Sequence, residues 1–358
     1  MKCSQVLAGG LLPAIFLTVC APAPSQNGDR LGSGFFAAAQ PSKTPHKPRE
    51  PLGLVPVVWP KDNPYTPEKT ELGRYLYFDP RLSADGTVSC GTCHNPQYAF
   101  TDGAPVSTGI RGQKGNRSAP TVINRAYSLA QFWDGRAPTL EAQAAGPMAN
   151  PIEMGNTHQA IVDNLKKVQG YRELFARAFG TEDFTIEHIA KAIATFERTI
   201  MSGNARYDRY RAGRKNAMTS AQVRGLDVYF NKAKCDACHE GVNFTSNMYA
   251  NIGVGADKTE PDVGRYAVTH DPKDWGVFKT PTLREIAHTA PYMHDGSLKT
   301  LEDVVEYYDK GGTPNQNLDS KIKPLHLTNQ DKKDLIAFLN ALSGEGWQNI
   351  KPPEKFPQ

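Results

Sequence analysis

The sequence predicts an all-α protein, and three observations carry that reading. Apolar residues recur at helical spacing: Ile186, Ile189, Ala190, Ile193 and Ile200 keep largely to one face, and Leu335, Phe338, Leu339 and Leu342 fall at i, i+3, i+4 and i+7. No alternating apolar and polar run of any length argues for a strand. A helix-and-motif unit occurs twice. Gly73-x-x-x-Tyr77-Phe78 precedes Cys90-Gly91-Thr92-Cys93-His94, and Gly225-x-x-x-Tyr229-Phe230 precedes Cys235-Asp236-Ala237-Cys238-His239.

Two thiols three positions apart can add across the two vinyl groups of a haem, and a histidine directly after them is placed to ligate the iron from one side. One copy of Cys-x-x-Cys-His leaves a zinc half-site or a redox disulfide open. The second copy repeats the histidine, which a redox pair does not require, and no other close cysteine pair completes a zinc cage. The motifs therefore predict two covalent haem c groups, one on Cys90, Cys93 and His94 and one on Cys235, Cys238 and His239. Two cytochrome c-like domains, each carrying one haem, are the expected architecture.

The 358 residues have room for two domains of ordinary size. Taken in order, Lys2 and the apolar run Val6–Val19 read as the start of a secretory signal over residues 1–23. A membrane anchor is the competing reading, but the run is short for a bilayer. Cys20 offers a lipoprotein anchoring site, weakened by Val19 where such sites want a small residue. Covalent haem attachment is completed on the exported side of a bacterial membrane, so the expected location is periplasmic, with no transmembrane span in the mature protein. Of six cysteines, only Cys3 and Cys20 lie outside the motifs, which leaves none for structural disulfides. A formal charge of +4 suggests neither nucleic acid nor a polybasic membrane surface.

Residues 24–63 are rich in Pro, Gly, Ser and Ala and read as a leader that wraps the surface. The first haem domain is expected over 64–215. Glu68–Phe78 reads as a helix stopped by Asp79-Pro80, and His158–Val168, Tyr171–Phe179 and Ile186–Ile200 as three more. The second is expected over 216–345, entered by a helix over Ser220–Lys232 and closed by the helix through Leu335–Leu342, with a tail over 346–358. Thr101–Arg117 and Gly241–Thr280 read as long loops of the functional kind.

What the irons do depends on the face opposite each histidine. Two strong ligands per iron would make an electron carrier, whereas an open face would admit peroxide and make an enzyme. Here the sequence resembles the diheme bacterial cytochrome c peroxidases, and within them the MauG type, from about Leu72 to Leu342. The resemblance rests on Gly73-Arg74-x-Leu76-Tyr77-Phe78-Asp79-Pro80-Arg81-Leu82-Ser83, both haem motifs and Ala119-Pro120-Thr121-Val122-x-Asn124. It rests further on Gln131-Phe132-Trp133-Asp134-Gly135-Arg136, Gly264-Arg265-Tyr266, Thr280-Pro281-x-Leu283-Arg284 and Ala290-Pro291-Tyr292-Met293-His294-Asp295-Gly296.

The resemblance implies a peroxide-binding first haem. Where ordinary members carry a capping loop histidine, this chain has Ile110, which cannot ligate iron; His158 reads as a surface residue. Gln143, Pro147 and Glu153 follow Trp133 at the family's spacing. Glu153 is implied as the carboxylate that takes one peroxide proton and returns it to the leaving oxygen, Gln143 as the amide that positions peroxide or the ferryl oxygen by hydrogen bonding, and Pro147 as a limit on space. Read from local sequence alone, Glu153 caps a turn. For the second haem the ligand position falls on Tyr308, an oxygen donor that favours higher oxidation states; its neighbour Tyr307 and Met293 stay as competitors. Trp133 is implied as the bridge between haems, against a plain buried indole. A calcium ion is implied at the carbonyls of Thr289 and Pro291, with Ser118 where the family has Asn and Asn116 two residues away.

The function expected from the resemblance is reaction with hydrogen peroxide to form a high-valent two-haem state that oxidises a periplasmic protein substrate. The alternative is peroxide reduction with electrons from a small cytochrome or cupredoxin. A pure diheme carrier ranks below both, and a haem-based sensor would bring an output domain. Ala233 stands where the MauG type has a relay tryptophan, with Tyr229 and Trp275 as substitutes, so a methylamine dehydrogenase partner is not expected.

Overall fold

In the computed structural model, which describes residues 47–358, helices account for nearly all regular structure. The stretch expected as a secretory signal, Cys3, Cys20 and the first part of the expected leader lie outside the described residues. In chain order the helices are α1 (Pro67–Phe78), α2 (Cys90–Cys93), α3 (Leu140–Ala149), α4 (His158–Lys166), α5 (Gln169–Phe179) and α6 (Ile186–Glu197). They continue with α7 (Arg206–Arg211), α8 (Ser220–Asp227), α9 (Tyr266–Thr269), α10 (Leu301–Asp309) and α11 (Asn329–Asn340). Two short strands, β1 (Tyr249–Ala250) and β2 (Phe278–Lys279), pair antiparallel. Among the described residues no helix is long and apolar enough to cross a membrane.

Threonine caps start the helices that matter most. Thr66 accepts from the Lys69 amide with Pro67 at the first position of α1. Thr139 accepts from Ala142 before α3, and Thr300 from Asp303 before α10, where Asp303 closes a capping box.

Two apolar cores form. In the first, α1 packs on α6 through Leu72, Leu76, Ile189 and Ile193, with α4 and α5 adding Ile161, Leu165, Leu174 and Phe175. In the second, α8 packs on α11, and Val228, Leu301, Val305, Leu335, Phe338 and Leu339 fill the space between them and α10. The repeat foreseen in the sequence has a physical basis in both. A Cβ on Gly73 would lie 2.0 Å from the Ala192 carbonyl oxygen, and one on Gly225 would lie 1.8 Å from that of Asp334. Only glycine lets each helix pair approach so closely. Tyr77 donates to the His94 carbonyl across 3.0 Å, and Tyr229 donates to the His239 carbonyl, so each tyrosine fixes the motif that follows it.

The repeat runs further than the sequence reading took it. Gln131 bridges Ala137 and Tyr292 bridges Leu298, closing matching turns with Phe132 and Met293 at positive φ of 65° and 77°. Each turn leads into a threonine-capped helix, α3 or α10. Trp133 and His294 are therefore counterparts.

Several expected bounds move. The helix from His158 ends at Lys166, that from Ile186 ends at Glu197, and that from Ser220 passes at Asp227 into a wider π turn over Val228–Lys232. The loop at 241–280 contains both strands and α9. Residues 346–358, expected as a tail, are part of the first core: Trp347 is buried in it, Ile350 and Phe356 pack against it, and Arg81 donates to the Pro357 carbonyl at 3.1 Å. The leader is anchored where Arg284 donates to the Gly53 carbonyl and Asn63 is buried against Glu141.

Candidate functional site

Each Cys-x-x-Cys-His motif lines its own cavity of about 240 Å³. The first is walled by Cys90, Cys93 and His94 together with Trp133, Gln143, Pro147 and Glu153. Cys235, Cys238 and His239 wall the second together with Trp133, Met293, His294 and Tyr308. Trp133 faces both, and its indole N–H donates to the Ser118 carbonyl at 2.9 Å.

The histidines suit iron. His94 Nδ1 lies 3.3 Å from the Phe100 carbonyl, and His239 Nδ1 lies 3.3 Å and 3.1 Å from the carbonyls of Phe244 and Pro281. Such contacts select the tautomer with the proton on Nδ1 and leave the Nε2 lone pair for a metal. Burial pushes His94 down, and His239 down to about 4, so both rings are neutral donors. The four cysteines are free and half-buried at the cavity walls. The donor set therefore fits one covalent haem per cavity.

Gln143 and Pro147 come from α3 and Glu153 from the turn after it, so one short segment supplies the wall of the first cavity. Asn150 Nδ2 donates to Glu153 Oε1 at 2.7 Å, and the Ile110 amide donates to the Glu153 carbonyl at 2.8 Å. Burial raises the Glu153 carboxyl above the usual range, with the Arg136 charge and the Asn150 bond opposing it. Ile110 itself is buried against Gly155 and does not line the cavity. His158 is half-buried, with Nε2 2.9 Å from the Ala145 carbonyl, so it is a tether between α4 and α3 rather than the free surface residue expected.

On the second side α10 brings Tyr308 to the cavity wall. Burial raises its phenol well above 10, so without a cation beside it the ring stays neutral. Tyr307 is turned aside: its hydroxyl donates to the Ile252 carbonyl at 2.9 Å and accepts from the Thr313 amide at 3.1 Å. Ser118, Thr289 and Pro291 line this cavity too, while Asn116 lines the first. Among the described residues no group of three or more His, Cys, Asp or Glu side chains is gathered as a metal site.

Sequence reasoning missed three residues on these walls. His294 lies flat on Phe278, with ring centroids 3.7 Å apart, and its equivalence to Trp133 was the available signal. Arg125 and Lys279 carried none, since lone basic residues outside any motif are ordinary. Tyr229, considered as a relay, is fully buried, whereas Trp275 is 43% exposed and 5.0 Å from Tyr266.

A family model described as Di-haem cytochrome c peroxidase matches residues 67–216. The methylamine utilization protein MauG of Methylorubrum extorquens is 38% identical over 96% of this chain and 94% of its own. Cytochrome c551 peroxidase of Nitrosomonas europaea is 38% identical over 83% of this chain and 85% of its own. Among solved structures, a MauG-like protein associated with microbial copper homeostasis superposes with a TM-score of 0.77 at 37% identity, over 85% of this chain and 96% of that one.

Proposed function

The chain belongs to the di-haem cytochrome c peroxidase family, and from that premise we propose a periplasmic oxidoreductase that consumes hydrogen peroxide and oxidises a partner protein. One observation carries the reading. Glu153, Gln143 and Pro147 share a cavity with Cys90, Cys93 and His94, whereas Tyr308 shares the other with Cys235, Cys238 and His239. The two sites are built for different work.

Haem iron, when bound, supplies the redox chemistry at peroxide in the first cavity. The surrounding residues manage position and protons. Glu153 takes a proton from one peroxide oxygen and delivers it to the departing one, while Asn150 holds its carboxyl in place. The Gln143 amide can donate to a peroxide oxygen, and the Pro147 ring narrows the approach. Reduction of peroxide to two waters takes two electrons and two protons. Tyr308 is the second-haem ligand in this reading, and Trp133, on both walls, is the path by which the sites share charge. A calcium ion would sit at the carbonyls of Thr289 and Pro291 with Ser118. That neutral set needs several waters to complete it, and no step depends on it.

The domain boundary near 215 and the exported location complete the reading. The second reading, a peroxidase fed by a small cytochrome or cupredoxin, is favoured by Ala233, whose side chain is buried and has no accessible oxidation. With no relay indole there, the exposed Trp275 beside Tyr266 is the substitute exit for an electron hole in this reading. The test compares the decay of the peroxide-generated state with reduced cytochrome c and with a co-encoded periplasmic protein. Fast decay with the protein and a covalent change in it by mass spectrometry supports protein oxidation. Fast turnover with cytochrome c and no covalent change returns the chain to the peroxidases.

A further inference from the structure

Lys279 on β2 is 4% exposed and lines the second cavity. Its backbone is committed: the amide donates to the Trp133 carbonyl at 2.7 Å, and it pairs with Tyr249 in the short ladder. Its ammonium has no acceptor among the described residues. Arg125 lines both cavities, and only its Nε is engaged, donating to the Thr121 carbonyl at 2.8 Å. No carboxylate of the described residues is within ion-pair distance of either cation. The acid nearest in effect is Glu197 on the first wall, and burial pushes it up to about 8, so it is mostly neutral.

A buried lysine whose charge is disfavoured by a neighbouring half-buried arginine is costly unless an anion joins them. Burial lowers Arg125 to about 10 and Lys279 to about 7, and in Lys279 the Arg125 charge adds to the effect. A haem carries carboxylates on the edge away from its thioether bonds, and no other resident anion is implied for these cavities. We propose, on the di-haem reading above, that Arg125 and Lys279 form one cationic seat for haem carboxylates, with Arg125 serving both haems and Lys279 the second. The seat adjoins Trp133, since the Lys279 amide bonds the Trp133 carbonyl and Arg125 lines both cavities with it, so it would hold haem carboxylates beside the shared wall.

A cation beside a haem opposes oxidation, because the ferric form carries one more positive charge. Removing it lowers the reduction potential. Spectroelectrochemistry on the purified diheme protein tests the seat, with haem content fixed at two per chain by pyridine haemochrome assay. Lys279→Gln should lower the midpoint of the second haem alone, Arg125→Gln should lower both, and Lys279→Arg should restore the wild-type value. Unchanged potentials in Lys279→Gln with both haems present would overturn the proposal. Wild-type protein gives a measurement independent of the variants' folding. Resonance Raman propionate bending bands of both haems should be those of hydrogen-bonded carboxylates and indifferent to added phosphate. Bands of free carboxylates, or potentials that move with phosphate, would assign the cations to an adventitious ion only. A wild-type haem count below two per chain would instead overturn the diheme reading itself.

Discussion

Pro147 and Tyr308 occupy the same place in the two halves of the molecule. Each is the eighth residue after the threonine that caps its helix, Thr139 or Thr300, and each lines the cavity of its own haem motif. A ring without a donor stands in one half where a phenol stands in the other. In the proposed reading, one helical position would decide which iron face is open and which is closed.

Replacing Tyr308 with Phe should remove the second iron's far ligand and convert a low-spin signal to high-spin in the electron paramagnetic resonance of oxidised protein. Tyr308→His should keep that iron six-coordinate and low-spin but shorten the life of the peroxide-generated state, since imidazole supports higher oxidation states less than phenolate does. Tyr307→Phe should change neither. If the spectra respond to Tyr307 and ignore Tyr308, the ligand assignment is wrong.

Oxidised protein should contain one high-spin, five-coordinate haem and should react with peroxide without prior reduction. The reason is that Ile110 has no donor atom and packs on Gly155 away from the cavity. Resting spectra of low-spin iron alone, with a requirement for reductive activation, would contradict this.

Glu153→Gln should slow peroxide activation about 10²–10⁴-fold, the usual scale of proton-transfer assistance. Burial raises this carboxyl, and the base form exists only above its pKa. The wild-type activation rate should therefore climb with pH through a limb lying above the ordinary carboxylate range, and the Gln variant should lose that limb. Stopped-flow rates across pH decide it; a limb that survives in Glu153→Gln belongs to another group.

Arg284 and Asp208 form a bidentate pair with both bonds at 2.9 Å and both side chains almost fully buried. Arg284 also donates to the carbonyls of Val242 and Gly53. Arg284→Met leaves an uncompensated carboxylate and should cost about 3–5 kcal/mol. Denaturant unfolding of the diheme protein measures it, and a loss under 1 kcal/mol would show that water reaches Asp208.

Long periodic helices were legible because their apolar faces are dense, as in α6 and α11. Helix α3 was not, because Gly146 and Pro147 interrupt Leu140–Ala149 and its small residues give no stripe. Helix α10 did carry a signal, Thr300 with Asp303 and then Leu301, Val304 and Val305 at helical spacing, but its acids obscure it in so short a run. The haem motifs could be read outright because thioether chemistry fixes their spacing. Gln143, Glu153 and Tyr308 could be placed only through resemblance, since lone polar residues announce no partner. Lys279 and Arg125 needed three dimensions: what distinguishes them is the lack of a counter-ion among the described residues, which no single chain segment reveals.

The packing of residues 347–358 on the first core bears on the order in which the chain can mature. Trp347 and Phe356 complete a core begun by Leu72, and Gln358 accepts a hydrogen bond from the Gly170 amide at 2.7 Å. A ribosome delivers the amino-terminal half first, yet that half lacks its closing segment until the last residues have been made. Cys90 thus packs against a core completed only by the last-made stretch of the chain, so any folding of that half before synthesis ends leaves it without Trp347 and Phe356.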